Sequence, residues 1–176
     1  SCQNNLKQMG LASALYLNDY EEWLPAYGGT STASWMGKIY PYLKSYMVFW
    51  CPSDRAPYGV NTNYGNGLVA KKGLSYLQNG DLFYYQKAFQ KITLFKRPSK
   101  TGQVIEGSNH VTGNYGTPRV DRKISGTCFI RRHNERINVL FLDTHAENLT
   151  DLPFDPDDSE MPTGSIEANY FWRGRP

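Results

Sequence analysis

The chain has 176 residues, a length that fits one domain with appendages. Its 19 basic and 16 acidic residues leave a net charge of +3 spread over isolated pairs such as Lys71-Lys72 and Arg131-Arg132. That excludes a nucleic-acid surface, because affinity for a phosphate backbone needs many contacts on one face. Hydrophobic residues make up 40%, enough for a core, yet no apolar run approaches the about 18 residues of a membrane span. The aromatic share of 14% suits β-strands and sugar-binding surfaces alike, and does not decide between them.

Residues 2–20 (CQNNLKQMGLASALYLNDY) read as one amphipathic helix. Leu6, Met9, Ala12, Leu15 and Tyr16 recur at three- and four-residue spacing, while Asn4, Asn5, Lys7, Gln8 and Asn18 fall mostly elsewhere. At about 1.5 Å per residue such a helix spans roughly 28 Å, a surface long enough for the short, turn-rich segments that follow to fold against. Ser1 alone is a weak cap for so regular a pattern, so the chain reads as the soluble part of something longer.

Pro25 and Gly28-Gly29 end the helix. Trp35, Ile39 and Leu43, four apart, predict a short second helix interrupted at Pro41. Residues 48–51 read as extended, since a residue before proline is kept out of the helical region, and Ser53-Asp54 begin a turn. Residues 57–67 (PYGVNTNYGNG) are turns and not a phosphate loop, for no Gly-Lys-Ser/Thr follows. Residues 81–89 are ambiguous between helix and strand. Residues 92–95 and 103–106 are short strand candidates split by a turn at 97–102, and 107–118 is a loop.

The best-defined β signal is a meander: strand 127–133, turn 134–137, strand 138–142, a turn at Asp143-Thr144 and a return strand 145–149. Val139 and Phe141 on one face and Leu140 and Leu142 on the other mark 138–142 as the central strand. A type I′ turn at Asp143-Thr144 would force positive φ on a β-branched residue, so another turn type or a bulge is expected. The tail from 150 on is polar and acidic, ordered where Tyr170, Phe171 and Trp172 dock. The parts are therefore 1–24, 25–149 and 150–176.

His133, Asp143 and His145 invite a metal or acid–base reading. The meander sets His133 and Asp143 at opposite ends of a strand, about 16 Å apart at 3.3 Å per residue, whereas metal ligands sit about 2 Å from one ion. The structural reading is that His133 caps a turn by bonding backbone beside Asn134, and that Asp143 holds the next turn. A metal-dependent hydrolase would need His110, His133 or His145 to converge on an acid. No nucleophile lies in a motif with its base, so no catalytic residue is assigned and an enzyme is not expected. Of three cysteines, Cys2, Cys51 and Cys128, one stays free even if two pair, and no CxxC occurs.

Three stretches together resemble one family: NNLKQMGLA with YLNDYEEWLP at the front, PYLKS and VFWCPSD in the middle, and RHNERINVLFLDTHAE near the end. They are similar to proteins with a prepilin-type cleavage and methylation signal and a C-terminal motif of His, nine residues, then Asp-Gly, and so to the type II secretion (general secretion pathway) pseudopilins of the G kind. His133 is followed by nine residues and Asp143; the family's Gly position holds Thr144, a departure. The resemblance implies a pilin-like α+β fold, a long N-terminal helix packed on an antiparallel sheet with extended loops. It implies a basic leader and an apolar half-helix upstream of Ser1, anchoring the subunit in the bacterial inner membrane with this domain in the periplasm. The implied role is structural, with other pseudopilin-like subunits and the secretion assembly of the inner membrane as partners and Leu6 and Met9 on the assembly face.

In an oxidising compartment a Cys2–Cys51 bridge would tie helix to loop; two buried or free thiols are the alternative, with Cys128 in a core strand. Pseudopilins of this kind hold calcium in a C-terminal loop. Here Asp155, Asp157, Asp158 and Glu160 lack the alternating acidic spacing and are broken by Pro156, so a solvated loop is the default and no cofactor is expected. The alternative function is a membrane-anchored extracytoplasmic binding module that presents Tyr- and Trp-rich loops, 23–35 and 61–67, to polysaccharide or a secreted protein.

Overall fold

The computed structural model describes residues 1–25, 34–55, 57, 60–79, 82, 90–107, 119–120, 131–152 and 170–171. Helix α1 (Cys2–Asp19) opens the chain, its first turn capped by the Ser1 hydroxyl accepting from the Asn4 N–H. Helix α2 (Trp35–Ile39) follows and runs into a 3-10 turn at Tyr40–Tyr42, which carries Pro41 in its first positions, where its missing N–H costs nothing. The strands are β1 (Thr62–Asn63), β2 (Val69–Ala70), β3 (Tyr76–Asn79), β4 (Gly102–Glu106), β5 (Arg119–Val120), β6 (Ile137–Phe141) and β7 (Ala146–Leu149). β1 and β2 form a small hairpin. The others make one sheet in the order β5-β3-β4-β6-β7, antiparallel except for the parallel β3–β5 pair. The fold is therefore α+β. Among the described residues no helix is long and apolar enough to cross a membrane.

Strand β6 is buried along its whole length, paired with β4 on one side and β7 on the other. This is the interior strand that apolar residues on both faces predict. Helix α1 lies against it. Cys2, Leu6, Met9, Ala12, Ser13 and Tyr16 are buried, and Gly10 sits where an added Cβ would meet Leu140 at 2.9 Å and the Thr144 carbonyl oxygen at 3.0 Å. Polar side chains pin the seat: Gln3 Nε2 donates to the Ala146 carbonyl, Asn5 Nδ2 to that of Trp50, and Gln103 Nε2 to Ser13 Oγ.

The helix corrects two expectations. Leu15 is 45% exposed and not on the buried stripe; at 3.6 residues per turn it lies roughly 130° from the stripe's centre. Leu6 and Met9, taken as the assembly face, are fully buried inside this chain's own core and are closed to any partner. The outward side instead carries Leu11, 63% exposed, with Leu15, while Tyr20, just past the helix end, stacks on Tyr16 of the seated face.

Two stretches, 48–51 expected as extended chain and 92–95 as a strand, are in part helical turns. Tyr46–Phe49 and Ile92–Leu94 are 3-10 turns, started by a Ser45 hydroxyl cap in the first case. The chain becomes extended only at Trp50, next but one to Pro52. Residues 132–134 form a turn and 131–133 are not the end of a strand, while 127–130 lie outside the described residues, as do most of 81–89 and of 107–118. Tyr170 and Phe171 dock as expected of the tail. Phe171 packs edge-on against Phe141 and fills the space a side chain on Gly102 would need; Trp172 lies outside the described residues.

The link between α2 and the β1–β2 hairpin is made of backbone. The Tyr64 carbonyl oxygen receives the Ser34 N–H and hydroxyl and stands 2.2 Å from where a Cβ on Gly37 would be, so only glycine fits there. Burial pushes the Tyr64 phenol up to about 12 from 10.0. Burial, then the nearby Glu106, raises Tyr76 as well, and burial followed by Tyr20 raises Tyr16. A raised value in the fold means these phenols keep protons that the unfolded chain releases near pH 10. Their contribution is whole below that pH and is lost as pH rises through the folded values. Thermal melts should show a stability loss setting in above about pH 10, and Tyr64→Phe should make that alkaline fall shallower than in the parent chain.

Candidate functional site

Five separate segments meet at the amino end of α1. Cys2, in its first turn, is disulfide-bonded to Cys51, with Cα atoms 5.2 Å apart. Cys51 is placed by the turn before it and by its N–H, which donates to Ser75 Oγ at 3.0 Å. The Cys-Pro-Ser-Asp turn closes with the Asp54 N–H on the Cys51 carbonyl and brings the Asp54 carboxylate inward. There it meets Arg132, Nη2 to Oδ2 2.8 Å.

Glu106, at the end of β4, carries a fully buried carboxylate into this cluster. Its Oε2 accepts the backbone N–H and the Nδ2–H of Asn138 from β6, at 3.3 and 3.0 Å. Its Oε1 faces His133 Nε2 at 2.9 Å and Arg132 Nη1 at 3.7 Å. Arg132 also donates to the carbonyls of Ser75 and Gly107, and the Tyr76 hydroxyl donates to the Cys2 carbonyl. His133 Nε2 is 3.5 Å from Cys51 Sγ, so the imidazole stands between carboxylate and disulfide. A cleft of about 390 Å³ reaches the cluster from solvent past Ser1, Cys2, Pro52, Ser53 and Asn134.

Asp54, Arg132 and Glu106 have side chains that are 2%, 4% and 0% exposed. Burying such charges is tolerable only where each is paired and hydrogen-bonded, and Glu106 alone receives contacts from three residues. Sequence reasoning missed all three. Asp54 was read as a turn residue and Arg132 as half of a surface pair. The signal for Glu106 was in view: a carboxylate closing the otherwise apolar run of a strand must be exposed or partnered.

The sequence-derived site residues fall into two groups at opposite ends of β6. His133 bonds the Glu106 side chain and not backbone, which corrects the expected cap; its carbonyl, however, closes the turn by accepting the Arg136 N–H. Asn134 and Glu135 both take positive φ there, 54° and 60°, the signature of a type I′ turn. At the other end, Asp143 Oδ1 takes the His145 N–H and Nδ1, while the His145 ring stacks on Phe141. His133 and His145 thus do not share a site.

The turn between β6 and β7 is closed by Thr144 N–H to the Phe141 carbonyl and Phe141 N–H to that of His145, with Thr144 at φ 74°. That is a three-residue hairpin ending in a left-handed bulge position. A bulge or another turn type was expected; positive φ falls on the β-branched residue all the same, because a three-residue hairpin loop places a left-handed residue at its last position. Of the aromatic loop candidates, Trp35 and Tyr64 are buried, and Trp23, 38% exposed, lies under the Lys91 ammonium. Cys128, His110 and the acidic run 155–160 lie outside the described residues.

An α+β domain whose first helical turn is stapled to a loop over a buried ionic cluster is what fold and site together define. The chain belongs to the family described as "Protein of unknown function (DUF1559)", whose profile matches residues 1–126, a span that takes in both bonded cysteines, Asp54 and Glu106. No match was found among curated proteins or among solved structures.

Removing Arg132 strands two buried carboxylates. Arg132→Met should cost about 3–5 kcal/mol in urea unfolding, the range for breaking a buried ion pair from one side. Thr144→Gly should stabilise by about 0.5–1 kcal/mol, since relief of a strained left-handed residue outweighs the extra unfolded-state entropy of glycine; a lower unfolding midpoint in this variant would contradict the hairpin assignment.

Proposed function

We propose that this chain is the extracytoplasmic part of a pilin-like structural subunit, of the kind found in type II secretion pseudopilins, and that it works by assembly and not by catalysis. The observation that carries this is the outer side of α1. The helix is seated by one face on the sheet, and the opposite side holds Leu11 and Leu15, four residues apart and 63% and 45% exposed. An apolar strip along a rigid rod is the form in which helices of neighbouring subunits pack side by side. The disulfide accords with an envelope compartment, where such bonds persist. The aromatic-shelf alternative is left with Trp23 among the described residues of its first loop, since Trp35 is in the core.

In cells producing the complete gene product, a photo-crosslinking residue at Leu11 or Leu15 should yield a ladder at multiples of the subunit mass. The same probe at Leu94, equally exposed but away from α1, should not. Monomer alone at both helix positions, or a single band with a different protein, would remove the assembly reading.

A further inference from the structure

We propose that Cys2, Cys51, Glu106 and His133 hold one zinc-class divalent cation when the bond between the two cysteines is open, so that one cluster closes in either of two exclusive ways, by disulfide or by metal. This does not depend on the assembly role.

Two thiolates, an imidazole nitrogen and a carboxylate oxygen are a donor set that suits zinc. Here the four donor atoms all lie within 4.8 Å of one another. With bonds of about 2.0–2.3 Å, the edges of a zinc tetrahedron are about 3.3–3.8 Å. His133 Nε2 is already 3.5 Å from Cys51 Sγ and 2.9 Å from Glu106 Oε1. The change required is local: the two sulfurs part by rotation about their side-chain bonds, and His133 and Glu106 move apart by a few tenths of an ångström. The Cα separation of 5.2 Å does not have to change.

The ligands are also oriented in advance. Glu106 Oε2 is held by Asn138, which leaves Oε1 aimed at His133, and the Cys51 backbone is held by Ser75. Such supporting bonds fix ligand geometry and raise metal affinity. Charge balances as well. Opening the disulfide and ionising both thiols adds two negative charges, and the cation adds two positive ones. The formal charge buried with Asp54, Glu106 and Arg132 is therefore the same in either state, and Arg132 stays beside the carboxylate ligand. The cleft past Ser1, Pro52 and Ser53 gives an ion a path to Cys2 and to His133, whose side chain is 26% exposed.

The conversion is a two-electron step. A dithiol reductant gives two electrons and two protons to the Cys2–Cys51 bond and becomes a disulfide, leaving two protein thiols. Binding the cation then releases those two protons to solvent, since the thiolate is the ligand form, and His133 gives up its Nε2–H bond to Glu106 and ligates as the neutral ring with its proton on Nδ1.

The test uses the whole chain with Cys128→Ser, which removes the third thiol. Cobalt(II) serves as the probe, added anaerobically after a phosphine reductant has been used and removed. One cobalt per chain is expected, with a thiolate-to-cobalt charge-transfer band, the strong visible bands of tetrahedral geometry, displacement by equimolar zinc and a native circular dichroism spectrum. The oxidised protein should show no such bands. In the same background His133→Ala should weaken cobalt binding by about tenfold or more, while its oxidised form keeps the parent circular dichroism. The proposal is overturned if the reduced chain takes up no cobalt, if it binds cobalt while remaining unfolded, or if His133→Ala binds it as tightly as the parent.

Discussion

Glu106 carries a carboxylate into an apolar sheet, and three other segments are arranged to answer it. Asn138 satisfies one oxygen from the neighbouring strand; His133 and Arg132 reach the other from the turn ahead of β6; Asp54 takes the far side of the guanidinium from the turn after Cys51. A buried charge cannot be left partly answered without several kcal/mol of penalty, so these segments have little freedom relative to one another. The polar cluster thus fixes where the loops lie, a task the apolar core leaves open because hydrophobic contact is not directional.

The covalent staple adds a second constraint on the same spot. Cys2 and Cys51 are 49 positions apart, and in the chain-entropy picture closing a loop of that size removes about 4 kcal/mol of unfolded-state freedom. Its placement matters more than its size. It ties the Cys2 turn of α1 to the loop over the ionic cluster, and the Tyr76 hydroxyl on the Cys2 carbonyl reinforces it. With one end stapled and one face seated, α1 is held rigid while its other side remains open to further contacts.

What the sequence made legible was local. The α1 period, the interrupted second helix, the interior strand with apolar residues on both faces and the hairpin at Asp143 all follow from spacings of two to four residues. The errors came where a local rule met a longer-range one. Leu15 obeys the three-residue step yet lies past the edge of the stripe, and segments 46–49 and 92–94 tighten into 3-10 turns that hydrophobic content alone does not distinguish from strands. The ionic cluster was out of reach for another reason. Asp54, Glu106 and Arg132 come together only through the sheet order β3-β4-β6, and each has an ordinary surface reading when met singly. Thr144 is the intermediate case: the strain was foreseeable from residue type, but the close seating of its carbonyl depends on the bare backbone of Gly10, more than a hundred positions earlier.

That dependence has a consequence for how the molecule is made. The opening helix is bedded by distant parts of the chain: Gln3 bonds a carbonyl 143 positions downstream, and Ser13 takes a partner 90 positions on. Until β6 and β7 are in place its apolar side meets only the nearer part of its cover, at α2 and the 46–49 turn, and contacts of longer range form slowly.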